Sequence, residues 1–66
     1  MTEITIGKNY QVKYRRTTIT WTWDPNLLLY AMQHNKRKKS YIIEKDLQQF
    51  IEFEMRQDPA SKLIEL

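Results

Sequence analysis

The chain contains no cysteine, and glycine and histidine occur once each, at Gly7 and His34. Without cysteine no disulfide can form, and one histidine without a thiol partner excludes a structural zinc site. A single glycine excludes a glycine-rich phosphate loop, and no residue has the surroundings of a catalytic nucleophile. We therefore expect no metal, no cofactor, no small-molecule substrate and no enzymatic activity.

Long apolar runs are also absent. No stretch approaches the roughly 20 apolar residues that a membrane span needs, and the start of the chain, Met1 to Ile4, lacks a basic region followed by an apolar one. These absences predict a soluble, cytoplasmic protein without a membrane partner. With 66 residues the chain can form one domain at most, and a core of this size is marginal. We expect oligomerisation to supply the additional buried surface that a stable fold needs.

Charge is divided unevenly along the sequence. Residues 1–39 carry eight Lys and Arg against two acidic residues, whereas residues 40–66 carry three against six. A basic half and an acidic half suggest that one surface faces a polyanion while another is kept away from it.

The clearest local pattern is the alternating stretch "TTITWTW", residues 17–23. Ile19, Trp21 and Trp23 fall on one side, and Thr18, Thr20 and Thr22 fall on the other. Strict alternation of β-branched and aromatic residues predicts a strand with one buried face. The threonine face itself carries no Arg, Lys, Asn or Gln.

Two helices are predicted after this strand. Asp24 and Pro25 are typical of a helix start, so the apolar segment 26–33 is predicted to be the first helix. Residues 34–39 are predicted to be a turn in which Asn35 adopts a left-handed conformation. Ser40 is predicted to cap a second helix, Ser40 to about Gln57, whose apolar residues form one stripe.

The first sixteen residues leave two possibilities open. Ile4, Ile6, Tyr10, Val12 and Tyr14 alternate on either side of a turn-like segment at residues 7–9, which is consistent with an extra hairpin. The same segment is equally consistent with a basic arm that becomes ordered on its target.

The order strand, helix, basic turn, helix resembles the ribbon-helix-helix family of DNA-binding regulators. The resemblance is carried by "TITWTWDP", "LLLYAMQHNKRKKS" and "SYIIEKDLQQFIEFEMR", over about residues 17–56. It implies an α+β, β-α-α homodimer in which strands of two subunits pair and enter the major groove. The chain then divides into an arm or hairpin (1–16), a ribbon-helix-helix core (17–57) and a short tail (58–66).

The resemblance also assigns roles to residues. Base contacts are expected from Thr18, Thr20 and Thr22, whose hydroxyl and methyl groups can reach base edges. Backbone contacts are expected from the basic segments and the start of the second helix: Lys38, Lys39, Ser40, Arg37, Lys13, Arg15 and Arg16. The core of the dimer is expected to contain Ile19, Trp21, Trp23, Leu28, Ile43, Leu47 and Phe50.

The expected function is therefore that of a sequence-specific, double-stranded DNA-binding regulator. Within the family such a protein would be a transcriptional repressor or an accessory factor of a plasmid, phage or other mobile element, of bacterial, archaeal or viral origin. It would bind as a homodimer, and the sequence leaves open whether dimers assemble further on repeated sites. Two alternatives are a small interaction module that sequesters an acidic partner protein, and a single-strand binder that stacks bases on Trp21 and Trp23.

Overall fold

The alternating segment forms a strand, β2 (Thr17–Asp24), at the centre of the computed structural model, which describes residues 3–66. Four more strands and a helix complete the structure: β1 (Tyr10–Tyr14), β3 (Leu29–His34), β4 (Ser40–Ile43), α1 (Leu47–Met55) and β5 (Lys62–Glu65). The five strands form one antiparallel sheet in the order β4-β3-β2-β1-β5. A short 3-10 turn, Glu44–Asp46, joins β4 to the helix.

One face of this sheet, the covered face, carries the core. The period of two in β2 places Ile19 and Trp21 there, both with no exposed surface, together with half-buried Trp23. Helix α1 packs against this face with Leu47 and Ile51, which are also fully buried. Further buried residues come from the neighbouring strands: Tyr10, Val12, Tyr30 and Ile42. The opposite, open face carries Thr18, Thr20 and Thr22 of β2.

The segment before β1 is tied to the core through two tyrosine hydroxyls. Tyr10 accepts a hydrogen bond from the backbone N–H of Thr5 at 2.8 Å. Tyr30 accepts one from the N–H of Gly7 and donates one to the carbonyl of Lys8, both at 2.8 Å. These bonds satisfy polar groups that burial would otherwise leave unpaired.

The expected β-α-α fold is wrong, because the segment predicted as the first helix is strand β3. Asp24 does begin a helix-like turn: its side-chain oxygen accepts from the N–H groups of Asn26 and Leu27, and its carbonyl accepts from Leu28. The turn ends at Leu28, whose φ of 56° is left-handed. A continuous apolar run fits a strand partly covered on both faces as well as a helix.

The second predicted helix is only partly present. Its first residues, Ser40–Ile43, form β4 and pair with β3, so Ser40 does not cap a helix. The helix begins at Leu47 and ends at Met55. Of the predicted apolar stripe, Leu47 and Ile51 are buried in the helix, and Phe50 and Met55 pack partly against the core. Pairing with a neighbouring strand has overridden the local helix signal.

The flanking segments also differ from expectation. Residues 10–14 form a hairpin with β2 instead of a free arm or a hairpin with residues 4–6, and residues 1 and 2 of the predicted arm lie outside the described part of the chain. The tail contributes β5, which pairs with β1. Because β2 has a partner strand on each side, it cannot also form a two-stranded ribbon with a second subunit.

The residues expected in a dimer core divide into two groups. Ile19, Trp21 and Leu47 are buried within the single chain, and Trp23 and Phe50 pack partly against that core. Leu28 and Ile43 are 65% and 52% exposed.

The α-helix that the structure describes in residues 3–66, α1, has nine residues, which is too short to span a bilayer.

The contact between helix and sheet generates a stability prediction. We expect Ile51→Val to lower the free energy of unfolding by about 1 kcal/mol and Ile51→Ala by about 2–5 kcal/mol, because each leaves a cavity. Phe53 lies on the same helix but is 57% exposed, so Phe53→Ala should change the free energy of unfolding by less than about 0.5 kcal/mol. Urea unfolding measures all three, and equal losses at both positions would contradict this packing.

The buried tyrosine predicts a loss of stability in alkaline solution. Burial raises the pKa of Tyr30 above its ordinary value of 10.0, and the neighbouring Tyr10 and Glu44 add to the increase. The unfolded chain therefore loses this proton at lower pH than the folded chain, so the unfolding free energy must fall as pH rises above 10.0. We expect urea titrations at successive pH values to show a shallower fall for Tyr30→Phe. Parallel curves would assign the pH dependence to other groups.

Candidate nucleic-acid interface

The antiparallel pairing brings two basic turns to the same end of the sheet. Because β2 is antiparallel to both neighbours, the β1–β2 turn and the β3–β4 turn lie side by side, and β5 begins beside them. The midpoints of the two turns are separated by two strand spacings, about 10 Å. We call the cations gathered here the basic end: Lys13, Arg15, Arg16, Lys36, Arg37, Lys38, Lys39 and Lys62. They are eight of the eleven Lys and Arg residues of the chain.

The β1–β2 turn holds one cation in a fixed place. Arg15 has a left-handed φ of 51°, and its Nε donates to a carboxylate oxygen of buried Asp58 at 2.9 Å. The other oxygen of Asp58 accepts the N–H of Ala60 at 2.8 Å, which fixes the carboxylate in turn. The Arg15 side chain remains 78% exposed, so its terminal N–H groups are available to an anion.

A second carboxylate contacts the same hairpin without neutralising a cation. Glu54 accepts a hydrogen bond from the hydroxyl of Tyr14 at 3.0 Å. Desolvation of Tyr14, the larger cause, and this hydrogen bond, the next, raise the pKa of Tyr14 above its ordinary value. Within residues 3–66, the one salt bridge is that of Arg15 with Asp58.

The β3–β4 turn is closed by an asparagine, and its cations point into solvent. Asn35 has a φ of 56°, and its side-chain oxygen accepts the N–H of Thr18 at 2.8 Å while its own N–H donates to the Thr18 carbonyl. Gln33 donates to the carbonyl of Arg37 at 3.1 Å. The four cations at residues 36–39 are exposed and have no ion-pair partner in residues 3–66.

The threonines lie on the open face, among polar side chains from other strands. Thr20 stands between Gln11 of β1 and Gln33 of β3, and the Gln11 amide donates to its hydroxyl at 3.1 Å. Thr18 is paired with Lys13. The amides and cation that β2 lacks are therefore supplied by its neighbours. The sequence interpretation missed Gln11 and Gln33, although the alternation in residues 10–14 places Gln11 opposite the buried Tyr10 and Val12.

Two lysines face each other across the β1–β5 pair. Lys13 and Lys62 are directly opposite in register, both are exposed, and neither has an acidic partner in residues 3–66. Like charges in this arrangement destabilise a sheet, but they attract an anion placed between them. Lys62 was not among the expected contacts because the tail gave no sign of a strand beside β1.

The expected phosphate clamp at a helix start is wrong. Ser40 lies in a strand at the basic end, whereas α1 begins at Leu47, after β4 has run to the opposite end of the sheet. Free amides of a helix therefore do not accompany Lys38 and Lys39. The other expected backbone contacts, Arg37, Lys13, Arg15 and Arg16, do lie at the basic end, and the base contacts expected of Thr18, Thr20 and Thr22 remain a prediction.

Comparison with known proteins found no matching family model, no matching curated protein and no matching solved structure. The function must therefore be inferred from the charges and groups of this surface.

Repulsion between the paired lysines predicts an unusual stabilising substitution. We expect Lys62→Glu to raise the free energy of unfolding by about 0.2–1 kcal/mol, because an opposite charge would then face Lys13. The gain should shrink in high salt, which screens exposed charges. Urea unfolding at low and high ionic strength measures it, with Lys45→Glu at the opposite end as the matched control. A loss of stability at low salt would contradict the proposed repulsion.

Proposed function

We propose that this protein binds double-stranded DNA through the basic end, with the polar centre of the open face beside the contact. The observation that carries the proposal is the concentration of eight of eleven cations at one end of the sheet. Seven of these have no ion-pair partner in residues 3–66. Such a surface gains binding free energy by releasing the counterions of a regular polyanion.

The proposed geometry differs from a ribbon inserted into a groove. Five strands are about 20–25 Å wide, whereas the major groove of B-DNA is about 12 Å wide, so the open face cannot enter it. The two turns project from one end and are separated by about 10 Å, a distance at which each can contact phosphates on one side of a groove. Backbone contacts of this kind position a protein without reading sequence.

Any sequence preference would then come from groups close to the turns. Thr18 and Asn35 are joined by two hydrogen bonds at the start of the open face, and Arg16 is exposed in the adjacent turn. Arginine and asparagine can make the bidentate contacts to guanine and adenine that threonine alone cannot. A regulatory role, as a repressor or accessory factor, is consistent with this arrangement.

A duplex is favoured over a single strand because the surface offers no stacking platform. Trp21 is fully buried, and Trp23 packs on Tyr30 with ring centroids 5.0 Å apart. In residues 3–66, Tyr41 is the one aromatic residue on the open face. Single-strand binding surfaces usually stack successive bases on several aromatic side chains.

The proposal is tested with two double variants of equal charge. We expect Lys38→Ala with Lys39→Ala to weaken binding to any duplex and to lower the slope of log affinity against log salt by about 2, since each lysine neutralises one phosphate. Lys8→Ala with Lys45→Ala removes the same charge from exposed lysines outside the basic end and should leave the slope nearly unchanged. Fluorescence anisotropy across a salt series measures both.

Three results would contradict the proposal: no binding of the wild-type protein to duplexes, equal losses in both variants, or tighter binding to single strands. Equal losses would mean that net charge alone attracts the DNA. A preference for single strands would require a stacking surface that residues 3–66 do not present.

A second candidate function is binding of a partner protein by the outer surface of α1. Phe53 is 57% exposed there and lines, with Gln49 and Phe50, a shallow depression of about 260 Å³. Exposed aromatic residues are enriched where proteins associate. This surface shares no residue with the basic end, so Phe53→Ser should leave duplex affinity unchanged if the two functions coexist.

A further inference from the structure

Strand β4 is an unprotected edge of the sheet. In the described part of the chain it pairs with β3 alone, and its sequence, Ser40-Tyr41-Ile42-Ile43, contains no charge. Soluble proteins normally protect such edges with charged residues, proline or bulges, because free backbone groups pair with other strands. The other edge, β5, follows that rule: Lys62 and Glu65 stand at its two ends.

The side chains of β4 add an exposed apolar strip to this edge. Tyr41 and Ile43 are 53% and 52% exposed on the open face, where they lie beside Ala31 and Leu29 of β3. Ile42 points to the covered face and is 9% exposed. Both faces of the edge strand therefore carry large apolar side chains up to the boundary of the sheet.

We propose that two copies of this chain associate by antiparallel pairing of their β4 strands, which would form one continuous ten-stranded sheet. A two-fold axis perpendicular to the sheet requires facing residues to lie on the same face, so few registers are allowed. Centred on Ile42, the pairing sets Ile42 against Ile42 and Tyr41 against Ile43 of the second copy. Centring on Tyr41 or Ile43 would instead set Ile42 against Ser40 or Glu44.

The charges that flank β4 also favour pairing with a second copy of this chain. The basic residues 36–39 precede β4, and Glu44, Lys45 and Asp46, with a net charge of −1, follow it. Antiparallel pairing brings the basic beginning of one strand beside this end of the other, on both sides of the two-fold axis. Opposite net charges therefore meet there, although Lys39 falls opposite Lys45. A second copy thus supplies apolar surface and complementary charge at once.

The short length of β4 predicts a weak dimer. Pairing of four-residue strands buries less area than the roughly 1,200–2,000 Å² typical of stable complexes. We therefore expect the dimer fraction to rise with protein concentration over the micromolar range. The association needs no nucleic acid, so it is measured without DNA and is independent of the function proposed above.

The register is tested by two double variants that differ only in the sign of the charge at position 43. Tyr41→Lys with Ile43→Lys sets like charges opposite each other at two places, so we expect the dimer dissociation constant to rise by at least about tenfold. Tyr41→Lys with Ile43→Glu sets opposite charges there and should retain most of the association. Ile64→Lys with Leu66→Lys, at the β5 side, is the matched control and should leave the constant unchanged. Sedimentation equilibrium gives all the constants, and circular dichroism checks folding.

Amide hydrogen exchange of the wild-type protein provides a second measurement that needs no variant. Protection of β4 amides should increase with protein concentration, while that of β5 amides should not. A wild-type protein that remains monomeric at several hundred micromolar would overturn the proposal, and so would equal weakening by the β5 control. If the Lys and Glu variant associates as poorly as the Lys and Lys variant, the register centred on Ile42 is wrong.

Discussion

The pairing of β2 on both sides is the constraint on which the rest of the structure depends. The alternating sequence of β2 gives this strand one apolar face that must be buried and one polar face that can contact water. Helix α1 packs on the apolar face, where Trp21 and Ile19 are fully buried. Antiparallel partners on both sides then send the chain back and forth, so that alternate turns, β1–β2 and β3–β4, open at the same end. Segments separated by about twenty residues in the sequence therefore contribute to one basic surface.

The sequence was sufficient to predict the central strand β2 and which of its faces is buried. It also indicated a turn at residues 34–39 with a left-handed Asn35, and both are present. It failed at residues 26–33 because the local signals at Asp24 and Pro25 are real: Asp24 does accept the hydrogen bonds of a helix start. The turn that begins at Asp24 ends at Leu28 in a left-handed conformation, which the sequence does not indicate because leucine rarely adopts it.

The same limit explains what was missed in the candidate site. The charge asymmetry between the two parts of the sequence was visible, and seven of the eight cations of the basic end precede residue 40. The contribution of Gln11, Gln33 and Lys62 depends on which strands are neighbours, and sequence separation says little about that. The second helix was overextended because Ile43 has the correct spacing for the stripe that Leu47 and Ile51 continue. A periodic pattern does not specify where pairing with another strand takes precedence.

The fold accepts unfavourable local interactions at the basic end. Arg15 occupies a left-handed conformation that glycine or asparagine adopts more easily, and Lys13 faces Lys62. In a 66-residue domain, costs of this kind are a large part of the net stability. Asp58 offsets part of the cost by anchoring Arg15 from the start of the segment that leads to β5.

The two proposed surfaces constrain each other geometrically. A two-fold axis at β4 reverses the strand direction in the second copy, so the two basic ends would point in opposite directions along the sheet. One straight stretch of duplex could not contact both ends in the same way. A dimer formed through β4 would therefore present each basic end to a separate segment of DNA, and its binding would favour paired or looped segments over a single short site.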